Sequence, residues 1–132
     1  MQTLERSKSI LQILIAEDDA PTRDLLGAII ARKFPDIAIC LVDNGREGVK
    51  MFKQLAPKIV ITDIKMPEMD GIEMADQIKS ICPDTKFIVL TAFNSKFYFT
   101  KFKDIGFNAY VTKPIEFPKL FDAINKCIAE VE

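Results

Sequence analysis

No histidine occurs among the 132 residues. That absence excludes histidine-based catalysis, histidine metal ligation and any role as a phosphohistidine donor. Cysteine is scarce: Cys40, Cys82 and Cys127 are odd in number, far apart and without metal-type spacing. They read as buried, reduced thiols of a cytoplasmic protein. Excess charge of either sign is also missing. A formal charge of −1, with no run of lysine or arginine, leaves no electrostatic footprint for direct nucleic-acid binding or an anionic membrane. The opening "MQTLERSKSI" lacks the apolar core of a signal peptide, and no segment approaches the apolar length that spans a bilayer. No repeat, linker or low-complexity stretch interrupts the chain.

What is there is an ordinary globular composition, 48% apolar and 28% charged, in a length suited to one domain. Apolar runs alternate with helical spacing. "ILQILIA" (10–16) is a continuous apolar strand of the kind covered on both faces. Residues 21–34 follow with Leu25, Leu26, Ile29, Ile30 and Phe34 at helical intervals. "DIAICLV" predicts a second strand, and "DNGREG" a turn opening a helix that carries Val49, Phe52 and Leu55. "KIVIT" is the third strand, followed by a helix with Ile72, Met74, Ala75 and Ile78 that Pro83 stops. "KFIVLTA" is the fourth, with an aromatic-rich helix over about 95–105 that Gly106 can cap. "NAYVT" is the fifth, and a last helix runs from about Pro118 to Glu130. Strands alternating with helices in this way predict an α/β fold, a parallel sheet wrapped on both faces.

In such a sheet, ligands bind outside the carboxyl ends of the strands, where the strand order reverses. Glu17, Asp18 and Asp19 follow the first strand, Asp63 the third, Thr91 the fourth, and Lys113 lies just beyond the fifth. Singly, each reads as a solvated loop residue. Together, like charges at one edge raise the free energy unless a cation binds. An ion of magnesium size takes oxygen ligands, typically one or two carboxylates, waters and phosphate oxygens. Asp18 and Asp63 can supply two carboxylates, with Glu17 acting through water. The phosphate is accounted for if Asp63 carries one itself, as carboxylate nucleophiles do in phosphoryl transfer. Lys113 would then neutralise phosphoryl charge, and the Thr91 hydroxyl would donate to a phosphoryl oxygen.

"ILIAEDD", "TDIKMPEMDG", "VLTA" and "YVTKP", in that order, resemble the receiver domain of bacterial two-component response regulators, the CheY-like family, over about residues 10–128. The resemblance implies a doubly wound, five-stranded parallel sheet of (βα)5 flavodoxin-like type, strand order 2-1-3-4-5. Residues 1–9 would be a leader and 10–131 the receiver domain. It also implies that Asp63 is the phospho-acceptor and that Glu17 and Asp18 are the acidic pair, Asp18 being the direct Mg2+ ligand and Glu17 acting through water. The Lys65 backbone carbonyl completes the metal ligands, Thr91 is the switch hydroxyl, Tyr110 the switch aromatic and Lys113 the phosphoryl-contacting lysine. A cis peptide is expected before Pro114. The implied partner is a sensor histidine kinase or phosphotransfer protein. The domain would be no enzyme, accepting a phosphoryl group on Asp63 and losing it by self-hydrolysis.

A haloacid-dehalogenase-like phosphatase also places an aspartate nucleophile after a parallel strand, but it needs a second acidic residue where this chain has Lys65. A flavodoxin or nucleotide-binding domain needs a glycine- or hydroxyl-rich phosphate loop, and "AEDDAPTRD" is acidic. The residues leave open a stand-alone regulator or a receiver excised from a hybrid histidine kinase or longer regulator. Two further expectations concern aromatics and hydrolysis. Tyr98, Phe102 and Ile105 make an inward stripe on the fourth helix, leaving Phe97 and Phe99 without an obvious burial site. With Phe117 and Phe121 of the last helix they predict an apolar partner face, a candidate homodimer surface spanning the fourth helix, fifth strand and fifth helix. Lys65 and Phe93 flank the approach of water to Asp63, so phosphoryl loss is expected to be slow.

Overall fold

The computed structural model describes residues 11–92 and 96–131, so the leader at 1–9, Ile10 and Phe93 lie outside it. The described residues form β1 (Gln12–Ala16), α1 (Ala20–Lys33), β2 (Ala38–Val42), α2 (Gly45–Leu55), β3 (Ile59–Asp63), α3 (Gly71–Ile81), β4 (Lys86–Thr91), α4 (Lys96–Ile105), β5 (Ala109–Thr112) and α5 (Phe117–Val131). All strand pairs are parallel, in the order β2-β1-β3-β4-β5. The fold is flavodoxin-like α/β, as the sequence predicts.

Alternation along the strands explains why they are apolar throughout. Successive side chains point to opposite faces, and here both faces are covered. Ile13 and Ile15 of β1, with Ile59 and Ile61 of β3, pack against Leu26 and Ile30 of α1 and Leu120 and Ile124 of α5. Leu14 and Val60 face the other way, toward Val49 and Phe52 of α2, Met74 and Ile78 of α3 and Phe102 of α4. Burying a side chain such as Phe102 stabilises the fold by about 1.5–3 kcal/mol.

Helix starts follow local capping chemistry. The Asn44 carbonyl oxygen of the side chain accepts the Glu47 N–H at 2.8 Å, and the Asp70 carboxylate accepts the Glu73 N–H at 2.9 Å. Gly106, at φ +108°, ends α4 as expected, its N–H donating to the Phe102 carbonyl at 2.7 Å.

Several expectations are corrected. Leu25 belongs to the apolar series of α1, yet it is 53% exposed, because only the row of Leu26 and Ile30 meets the sheet. Of the cysteines, all free, Cys127 alone is buried, while Cys40 and Cys82 are half-buried at edges of the second cluster. Phe117 and Phe121 do not share exposure with Phe97 and Phe99. Phe121 meets Phe34 of α1 edge-on at 6.0 Å and Phe117 packs on the first cluster, so both are half-buried.

Candidate functional site

The strand order reverses between β1 and β3, because β2 lies on one side of β1 and β3 on the other. The crevice beyond their carboxyl ends is where such folds bind ligands. Asp63 is the last residue of β3 rather than a loop residue, and it is buried at 8% exposure. Its backbone is held from both sides. The Thr62 hydroxyl donates to the Asp63 carbonyl at 2.7 Å, and the Gly71 N–H returns to the Ile64 carbonyl at 2.7 Å. That return brings Gly71 so close that a Cβ there would run into the Asp63 carbonyl oxygen. Glycine at 71 is thus needed for space.

Glu17 follows β1 with its side chain almost wholly buried, whereas Asp18 is exposed. Carboxylate oxygens of Glu17, Asp18 and Asp63 all lie within 4.8 Å of one another. Lys113 answers two of them. Its ammonium donates to Glu17 Oε1 at 2.9 Å and to Asp63 Oδ2 at 2.8 Å. The other Asp63 oxygen, Oδ1, accepts the Ile64 N–H at 2.7 Å. Lys113 is aimed by its own backbone: its N–H donates to the Thr91 carbonyl at 2.8 Å, and the peptide to Pro114 is cis, as expected.

Burial pushes the Glu17 carboxyl above the usual carboxylate range, against the pull of Lys113 and the Asp19 N–H. For Lys113, burial pulls the ammonium down, but its bonds to Asp63 and Glu17 outweigh that and leave it raised. Lys113 is therefore a fixed positive charge. Among the described residues, three carboxylates against this one ammonium leave surplus negative charge, and at the rim Asp19 and Arg23 add one charge of each sign. An oxygen-only donor set with such a surplus fits a hard divalent cation of the Mg2+ kind.

Asp19, just beyond the acidic pair, has a separate use. It caps α1, its carboxylate accepting from the Thr22 N–H and hydroxyl, which lower its pKa. The "DAPT" spacing is the signal that identifies it. Arg23, one turn into α1, donates to the Glu17 carbonyl at 2.9 Å.

Thr91 ends β4, fully buried, and Tyr110 lies on the neighbouring strand β5. The Tyr110 ring sits edge-on to Phe99 at 5.2 Å and tilted to Phe107 at 5.4 Å. Desolvation raises its phenol pKa, eased in part by the Thr91 side chain, yet its buried oxygen has no partner in hydrogen-bond geometry among the described residues. Lys65 is exposed and its side chain runs to α4, the ammonium 5.8 Å from the Tyr98 ring centroid. Met66 is half-buried against the second cluster, as a packing residue. The predicted site residues Glu17, Asp18, Asp63 and Lys113 thus converge directly, with Thr91 and Tyr110 alongside. The Lys65 side chain leads elsewhere, and Phe93 is outside the described residues.

Comparison with known proteins agrees with this geometry. The family described as response regulator receiver domain matches residues 13–125. The chain is 35% identical over 115 residues to the chemotaxis protein CheY of Thermotoga maritima, covering 87% of this chain and 95% of that protein. It is 31% identical to the transcriptional regulatory protein YesN of Bacillus subtilis, covering 92% of this chain but 33% of that protein. A CheY-like receiver domain of Methanospirillum hungatei superimposes with a TM-score of 0.86 at 25% identity, covering 92% of this chain and 96% of that one. This chain belongs to the response regulator receiver domain family, the receiver module of two-component signalling.

Proposed function

We propose that Asp63 accepts a phosphoryl group from the phosphohistidine of a sensor histidine kinase or phosphotransfer protein. An Asp63 carboxylate oxygen attacks phosphorus, the N–P bond to the donor imidazole breaks, and an acyl phosphate forms. The single observation that carries this is the ion pair from Asp63 Oδ2 to Lys113 at 2.8 Å, beside two further carboxylates at the sheet's switch point. Lys113 neutralises charge on the transferred group without having to be recruited. Asp18, Asp63, Glu17 through water and the Lys65 carbonyl would hold Mg2+. When bound, the ion supplies the charge neutralisation that lets phosphoryl oxygens approach these carboxylates.

The acyl phosphate carries about two negative charges where the carboxylate carried one, and that change biases the fold. The Thr91 hydroxyl turns to the phosphoryl group, Tyr110 rotates into the space released, and the surface of α4, β5 and α5 is remodelled. Homodimerisation or an output partner reads that surface. Hydrolysis by in-line water resets the domain, breaking the acyl phosphate to inorganic phosphate and the Asp63 carboxylate. The partial coverage of YesN favours one further reading, that such a domain can act within a longer regulator.

The test is intact mass after treatment with acetyl phosphate or phosphoramidate. One phosphoryl group is expected on the wild type, none on Asp63→Asn and none when EDTA removes Mg2+. A phosphorylated Asp63→Asn protein would sink the assignment.

A further inference from the structure

Lys65 stands two residues beyond Asp63, between β3 and α3, and its ammonium lies 5.8 Å from the centre of the Tyr98 ring in the first turn of α4. That is within the range at which a ring face attracts a cation. The ring itself is fixed. Tyr98 is half-buried, packs against the second apolar cluster and meets Phe97 edge-on at 5.3 Å and 75°. A lysine stem is flexible, so its ammonium can sweep several ångströms without backbone movement. Among the described residues, the Tyr98 ring and the acidic cluster, whose charge exceeds that of Lys113, both attract this ammonium.

We propose that Tyr98 is a positioning residue for the acceptor site, its ring holding the Lys65 ammonium on the α4 side and so keeping a second cation out of the Mg2+ pocket. The proposal rests on the Mg2+-dependent reading given above. An ammonium entering the pocket reduces the surplus charge and competes for the same carboxylate oxygens. A cation–π contact at an exposed site is weak, so the ring biases ion affinity by about two- to fivefold and does not lock it. The attraction arises at the ring face, which phenylalanine also presents, so phenylalanine is expected to serve as well at this position.

Calorimetric titration of Mg2+ into the wild type, Tyr98→Leu, Tyr98→Phe, Lys65→Met and the Lys65→Met/Tyr98→Leu double variant tests this. Tyr98→Leu is expected to weaken Mg2+ binding by about two- to fivefold. Tyr98→Phe should bind as wild type, and the double variant should bind as Lys65→Met alone. Equal affinity of Tyr98→Leu and wild type overturns the proposal. So does the same loss with and without Lys65, which would make Tyr98 merely structural. A second readout needs no Tyr98 variant: ring current should shift the Lys65 ε-methylene protons upfield in the wild-type NMR spectrum, and their appearance at the ordinary lysine position overturns the proposal. A wild type that takes up no Mg2+, with Asp18→Asn identical to it, removes the functional reading and this inference with it.

Discussion

Lys113 bonds Glu17 and Asp63 together, and the buried Glu17 is the member of that group least suited to its surroundings. Its folded pKa is raised, so its contribution to stability is fully present below the ordinary carboxylate value and is lost as pH rises through the folded value. At neutral pH the charged form therefore opposes folding. Glu17→Gln keeps the shape and can still accept from Lys113. It is expected to raise stability by about 0.5–2 kcal/mol without Mg2+, the size of relief seen when a strained functional site is relaxed. A thermal melt should show a Tm higher by roughly 3 °C, a gain that shrinks as pH falls toward the ordinary carboxylate range. An unchanged or lower Tm would show that the buried charge is already compensated. Lys113 follows the same sign in a more alkaline range: its raised pKa supplies stability that is complete below the ordinary lysine value and is lost as pH rises through the folded one. These roles were half legible in the sequence. Residue types and their places at strand ends identified Glu17, Asp63 and Lys113, but whether a carboxylate after β1 is buried like Glu17 or exposed like Asp18 depends on which elements cover it.

Elements position this chemistry through their first residues. α3 begins right after the loop that follows Asp63, with Asp70 as its cap and Gly71 against the Asp63 carbonyl. Asp70→Ala should lose about 1 kcal/mol, the usual worth of an N-cap, with a Tm drop of roughly 3 °C and phosphorylation retained. Gly71→Ala should cost more, about 1–3 kcal/mol from overpacking, and should also slow phosphoryl uptake because the Asp63 backbone must move. Equal effects on uptake from the two substitutions would mean that the close approach does not position Asp63. The helix stops at Pro83 and Gly106 were plain in the sequence, because such residues act within a few positions of themselves. The orientation of α1 was not: Leu25 and Leu26 are chemically identical neighbours, and only the sheet beneath α1 determines that Leu26 is buried.

At the scale of the whole molecule, the aromatic surface of α4 is the feature most open to a partner. Phe97 is 61% exposed and Phe99 37%, and Phe99 touches both Phe107 and Tyr110, which links this surface to β5. Sedimentation velocity is expected to find the 14.9 kDa chain monomeric at rest and heavier with a beryllofluoride phosphoryl mimic, with Phe99→Ala suppressing the heavier species. A monomer in both states would leave this face to a different partner. No helix among the described residues is long and apolar enough to cross a membrane. The sequence by itself determined the fold class and the strand ends at which Glu17, Asp63, Thr91 and Lys113 gather. Those follow from periodicity and residue type, which are local properties of the chain. Tertiary structure alone decided that Lys113 bridges partners 96 and 50 residues away, that Lys65 lies over Tyr98, and that Phe121 finds Phe34 while Phe97 stays exposed. Such contacts depend on distances between elements, which the packing of both sheet faces sets and no local pattern encodes.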